Sequence, residues 1–148
     1  MKTLKLLTCT MLLLVAMAAG AETISDVTIG NLVYSLDTDT KVATVTGYDS
    51  SNKPTDVVIP NTIEYGGNYS VTTIGEWAFY NCTSLASVNI PNSVTTIGES
   101  AFASCESLAS IDIPNSVMTI GERVFSHCSS LASVNIPNSV TTIGESAF

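Results

Sequence analysis

A period of 23 residues governs the second half of the chain. Val71, Val94, Val117 and Val140 mark it, as do Ile74, Ile97, Ile120 and Ile143, then Gly75, Gly98, Gly121 and Gly144, then Phe79, Phe102, Phe125 and Phe148. Cys82, Cys105 and Cys128 fall on the same period, followed by Leu85, Leu108 and Leu131 and by the pairs Ile90-Pro91, Ile113-Pro114 and Ile136-Pro137. Self-similarity at a fixed spacing of this length means a stack of like supersecondary units, and it takes precedence over any local signal.

Within a unit, Leu108, Ile111 and Ile113 stand at the first, fourth and sixth places with small or polar residues between them. That spacing predicts a short strand with Ile111 and Ile113 on its inner face. Pro114 lacks the amide hydrogen needed to extend a ladder, so the strand stops there. Val117 and Ile120 turn inward again as a second extended piece, and Gly121 is expected to supply a positive φ at the corner. Glu122 to Phe125 is too short for a regular helix and is expected to form a single helical or 3₁₀ turn. A lone unit cannot fold, because ordering its backbone costs about 1–2 kcal/mol per residue and one unit buries too little apolar surface to offset that. Stacking shares the apolar faces and pairs the strands about 4.8 Å apart.

The residues that recur, Leu108 to Ile113, Pro114, Val117, Ile120-Gly121, Phe125 and Cys128, resemble the treponemal-type, or BspA-like, leucine-rich repeat family of bacterial and protist surface proteins. The resemblance implies a β-rich, right-handed leucine-rich-repeat solenoid with a concave parallel β-sheet and short turns on its other side. It also implies a secreted or cell-surface protein that binds protein or glycan ligands, often in adhesion.

Composition bears on address and partners. Met1, Lys2 and Lys5 precede an apolar run, Leu12 to Ala18, and a small-residue exit, Ala19-Gly20-Ala21, which is the pattern of a secretory signal peptide over 1–21. The run is too short for a membrane span, so no transmembrane segment is expected in the mature chain. Beyond residue 21 there are 3 basic and 13 acidic residues, a formal charge of −10. Such a chain repels nucleic acid and anionic membranes. Of the cysteines, Cys82, Cys105 and Cys128 remain, and their common period points them the same way, which suits buried thiols better than disulfides. Three thiolates without a converging fourth ligand do not meet a tetrahedral zinc requirement. No metal and no other cofactor is expected.

Taken in order, 22–26 reads as a loose lead-in. Leu32–Leu36 and Lys41–Thr46 flank the polar turn Asp37-Thr38-Asp39-Thr40 and predict a β-hairpin, so that 22–56 forms an N-terminal β cap and 57–148 the repeats. Asp37 and Asp39 are better read as turn residues than as calcium ligands, since the glycine and glutamate of an EF-type loop are missing. Val57-Val58-Ile59-Pro60 opens the array as a degenerate unit. Eight residues around Ile63–Ser70 are inserted after it, with Gly66-Gly67 at the tip of an expected hairpin. The last unit is incomplete at Phe148, which suggests a fragment or an end covered by a homologous partner.

Two candidate surfaces follow. Ser87, Asn89, Ser110, Asp112, Ser133 and Asn135 occupy the outward positions of the repeated strand and form ladders of polar groups able to hold a protein loop or a glycan. Tyr65, Tyr69, Trp77 and Tyr80 depart from the repeat and either gather as an aromatic patch, a residue class favoured at interfaces, or pack the inserted hairpin against the first full coil and finish the cap. His127 adjoins Cys128 in sequence, yet adjacent side chains do not face each other and no third group orients them. Glu76, Glu99, Glu122 and Glu145 repeat one exposed corner rather than forming a catalytic pair. The chain is therefore read as a binding protein without catalytic activity. The alternatives are a non-catalytic module of a longer surface protein or enzyme, and a structural spacer.

Overall fold

A computed structural model describes residues 22–148; the expected signal peptide lies outside these. Strands β1 (Thr23–Ile29), β2 (Leu32–Asp37) and β3 (Val42–Tyr48) form an antiparallel meander. Gly30, with φ 64°, turns β1 into β2. The β2–β3 turn is held by Asp37, whose Oδ1 accepts the N–H groups of Asp39 and Thr40, each at 2.9 Å. Those bonds, the one from Thr40 foremost, hold its carboxyl below the usual range. The lead-in is thus a strand, contrary to expectation. Only Val27 of β1 is buried, so the strand exists by pairing with β2 and left little hydrophobic alternation to read.

From β3 onward the pairing becomes parallel. The inserted segment folds as β5 (Thr62–Glu64) against β6 (Asn68–Ile74), with Gly66 and Gly67 at φ 61° and 155° between them. β6 lies parallel to β3 and continues through β8 (Thr96–Ile97), β10 (Thr119–Ile120) and β12 (Thr142–Ile143). A second sheet, all parallel, consists of β4 (Asp56–Val58), β7 (Ser87–Asn89), β9 (Ser110–Asp112) and β11 (Ser133–Asn135). Its register follows the repeat: Ile111 pairs with Val134, one period on, and Val57 with Val88, one period plus the eight inserted residues on. The central residues Val57, Val88 and Ile111 are buried beneath it.

Between the two sheets lies a core made of columns. Phe79, Phe102, Phe125 and Phe148 stack at centroid distances of 5.3, 5.8 and 5.5 Å, and Tyr48 of β3 heads the column 6.1 Å from Phe79. Beside it the cysteines are free thiols. Cys105 and Cys128 donate to the carbonyls of Phe79 and Phe102 at 3.2 and 3.1 Å, one coil back in each case. Burial, with the neighbouring thiols adding to it, pushes Cys105 up to about 12.

Burial alone likewise pushes the Tyr34 hydroxyl up to about 12. Below the ordinary values of 9.0 for the thiol and 10.0 for the phenol, these groups are neutral in both folded and unfolded chains. Between there and about 12 only the unfolded chain releases the protons, so stability falls as pH rises through that window. Thermal melts are expected to show a Tm lower at pH 11 than at pH 8, with a smaller drop in Cys105→Ala.

The corners refine one expectation and correct another. No regular helix forms among the described residues; the corner is a run of tight turns, with Tyr80 N–H donating to the Trp77 carbonyl at 3.0 Å and Cys82 N–H to the Phe79 carbonyl at 3.1 Å. In each complete coil two non-glycine residues adopt left-handed φ, namely Trp77 and Asn81, Ser100 and Ser104, Arg123 and His127. Alternate amides reach the next coil, Trp77 N–H donating to the Glu99 carbonyl at 3.0 Å, Phe79 to Ala101 at 2.8 Å and Asn81 to Ala103 at 2.9 Å, while Ala78 and Tyr80 between them bond back to Gly75 and Trp77 of their own coil. Gly121 does not supply the positive φ either; the left-handed residue is Arg123, two positions on. Glycine stands there because a Cβ would lie 2.7 Å from the Glu99 nitrogen and 2.8 Å from the Gly98 carbonyl carbon of the preceding coil. Adjacent coils touch backbone to backbone at this column.

Candidate functional site

The parallel sheet of β4, β7, β9 and β11 places six of the predicted residues together. Because side chains alternate along a strand, burying Val88 and Ile111 turns their neighbours to solvent. Ser87, Ser110 and Ser133 form one exposed column, and Asn89, Asp112 and Asn135 the next. The strands repeat about every 4.8 Å, so each column is a row of hydrogen-bonding groups at nearly constant pitch.

Register adds a first rung that the sequence reading passed over. Asp56 pairs with Ser87 and Val58 with Asn89, so the columns begin with a carboxylate and an isopropyl group. Aligning Val57-Val58-Ile59-Pro60 with the later units carries the signal that finds them. The Ser87 hydroxyl donates to Asp56 Oδ1 at 2.6 Å, and that bond, with one from Thr55, holds the Asp56 carboxyl below its ordinary value. Ser87 is the one ladder serine whose side chain is engaged among the described residues.

The four aromatic residues do not form one patch. Trp77 and Tyr80 meet edge to face with centroids 4.9 Å apart, and each is about half exposed, at 50% and 48%. Tyr69 is buried at 3% exposure, with the Lys41 ammonium 5.1 Å from its ring centroid. It shares the inner face of β6 with Val71, two residues on, and that alternation was the available sequence signal. Tyr65 precedes the Gly66-Gly67 turn at the start of β6, whereas Trp77 follows its end. A seven-residue strand, about 20 Å long, separates them.

No catalytic pairing emerges from His127 and Cys128. His127 is exposed at a left-handed turn position, while the Cys128 thiol is turned inward to the Phe102 carbonyl. Glu76, Glu122 and Glu145 are exposed.

Residues 48–148 match the model of the BspA type leucine rich repeat region, in 6 copies. The chain belongs to the BspA-type leucine-rich repeat family. Among solved structures, a leucine-rich repeat protein from Bacteroides ovatus is 32% identical with a TM-score of 0.73, over 83% of this chain and 38% of that one. The T. pallidum leucine-rich repeat protein is 33% identical with a TM-score of 0.62, over 79% of this chain and 63% of its own. A leucine-rich repeat protein from Bacteroides capillosus is 32% identical, TM-score 0.64, with 82% of this chain and 99% of that one covered. No curated protein matches the chain. The strand-rich repeats and parallel sheets, with these leucine-rich repeat neighbours, fit a repeat solenoid. No helix among the described residues is long and apolar enough to cross a membrane.

Proposed function

We propose that this BspA-type repeat protein is exported, is held at or released from the cell surface, and binds a protein or glycan through its four-stranded sheet. The observation that carries the reading is the in-register exposure of Ser87, Ser110 and Ser133 beside Asn89, Asp112 and Asn135. Hydroxyls, amides and a carboxylate at a fixed pitch on a sheet anchored by a column of stacked rings form a preorganised surface, and preorganisation lowers the entropic cost of binding. On this reading the ladder lies on the concave side of a right-handed solenoid, residues 22–56 act as its N-terminal cap, and adhesion to host or neighbouring cells is the activity served. The excess of acidic residues disfavours nucleic acid as a partner. Catalysis forms no part of this proposal.

A second reading places the contact at Trp77 and Tyr80, whose half-exposed rings offer an aromatic anchor. One experiment separates the two. An array of extracellular matrix proteins and glycans is probed with the chain, with Asn89→Ala/Asp112→Ala/Asn135→Ala, and with Trp77→Ala/Tyr80→Ala. The ladder reading expects binding weakened at least tenfold by the first variant, about 1.4 kcal/mol or more, and little changed by the second. Loss confined to the second variant supports the aromatic pair. Retention by both would leave a structural spacer.

A further inference from the structure

The outermost strand of the four-stranded sheet has a free side. Among the described residues β4 pairs with β7 alone. Thr55 O accepts from Ser87 N–H and Ile59 N–H donates to Asn89 O, so the odd-numbered residues of β4 face β7. In a parallel ladder the alternate residues face the other way, which directs the N–H and C=O groups of Asp56 and Val58 to the open edge. An uncovered edge of this kind is a template for another strand.

Beside that edge lies a groove of about 280 Å³, walled by Ile29 and Leu32 of the β1–β2 turn and by Val57 and Pro60. Two features set it apart from a plain surface furrow. Val58 also borders it and is 71% exposed, at the position where the later coils carry Asn89, Asp112 and Asn135. The polar column turns apolar only at the rung next to the groove. Tyr34, 1% exposed overall, lines the same groove, and burial without any hydrogen bond accounts for the shift of its phenol.

We propose that the β4 edge is a second binding site, which takes an extended peptide segment of a partner protein as an added strand. The segment's backbone pairs with Asp56 and Val58, one apolar side chain enters the groove against Leu32 and Val58, and a lysine or arginine next to it meets the Asp56 carboxylate. Main-chain bonds supply the affinity in such strand addition, and the pocket for an alternate side chain supplies the selection. The cation follows from charge: the described residues carry 3 basic against 13 acidic groups, and Asp56 is the carboxylate on this rim. This site adjoins the first rung of the ladder but uses the free backbone edge of β4 and the groove beside it, so the two are tested apart.

The test selects a phage-displayed random 12-residue peptide library on the purified chain and measures labelled synthetic copies of the winners by fluorescence anisotropy. Val58→Pro removes an N–H that takes no part in the β4–β7 ladder, a change edge strands tolerate. Enriched peptides are expected to pair an apolar residue with lysine or arginine and to bind Val58→Pro at least tenfold more weakly. In the parent chain, amide exchange at Asp56 and Val58 should slow on adding peptide, which decides the matter even if the proline variant fails to fold. The proposal is overturned by no enrichment above a mock selection, by equal binding to a folded Val58→Pro, or by protection that appears at Ser110 to Asp112 instead. The last result would leave the ladder reading intact while removing this one.

Discussion

Gly98→Ala is expected to cost about 3 kcal/mol of folding stability, at the upper end of the usual overpacking range. The added Cβ would lie 2.7 Å from the Glu76 nitrogen and 2.8 Å from the Gly75 carbonyl carbon. Both are backbone atoms of the preceding coil and neither can swing aside as a side-chain tip would. Relief requires the coils to part, which lengthens the bond from Gly98 N–H to the Ile74 carbonyl, now 2.7 Å. Gly47→Ala is the matched control, because its Cβ would meet only the Ala78 carbonyl oxygen at 3.9 Å. Chemical denaturation of the two variants should therefore differ sharply, with Gly47→Ala within about 0.5 kcal/mol of the parent. Equal midpoints would mean that the coils do not touch at this column.

Phe102→Ala is the second large effect, a loss of about 3–5 kcal/mol. The ring is 0% exposed and lies between Phe79 and Phe125, at 5.3 and 5.8 Å. Its removal leaves a cavity that neighbours on two coils cannot collapse into, since their own rings are stacked in turn. A stability of 5–15 kcal/mol is ordinary for a domain, so the variant stands close to unfolding at 37 °C. Phe148→Ala, where the ring is 59% exposed, should cost far less. Because stacked repeats couple only to their neighbours, the Phe102 variant is also expected to unfold over a broader transition.

The array was legible in the sequence because its period repeats the same inward residues, and a strand flanked by Leu108 and Pro114 has few other ways to be buried. The hairpin around Gly66-Gly67 was legible for a similar reason, two glycines between strand formers. The corners were not. Glu122 to Phe125 has the composition of a helical turn, and it stops at isolated turns because alternate amides find an acceptor on the adjacent coil, as when Phe125 N–H donates to the Ala147 carbonyl at 2.7 Å. No single unit contains that information. The glycine column was misread for the same reason: a residue without a side chain suits either a positive φ or a close approach, and only the stacking distance distinguishes them.

The candidate site was legible where alternation was simple and lost where it was not followed through. The six ladder residues were found from one strand's parity. Asp56 and Val58 belong to the same two columns but sit in a degenerate unit, set off from the next by 31 residues rather than 23. Of the two roles open to Tyr69, its parity with Val71 selects packing in the core, where Lys41 covers its ring. The free edge of β4 was not visible at all, since an edge is defined by what does not pair with it.

The central claim is that successive coils lie side by side at an offset of 23 residues, and backbone NMR tests it most directly. Interstrand amide and Hα contacts should join Ser110, Ile111 and Asp112 to Ser133, Val134 and Asn135 respectively, with the amides of Gly98, Gly121 and Gly144 strongly protected from exchange. Contacts displaced by even one residue would turn Ile111 and Val134 to solvent and Ser110 and Ser133 inward. That result, or unprotected glycine amides, would contradict both the solenoid and the polar ladder built upon it.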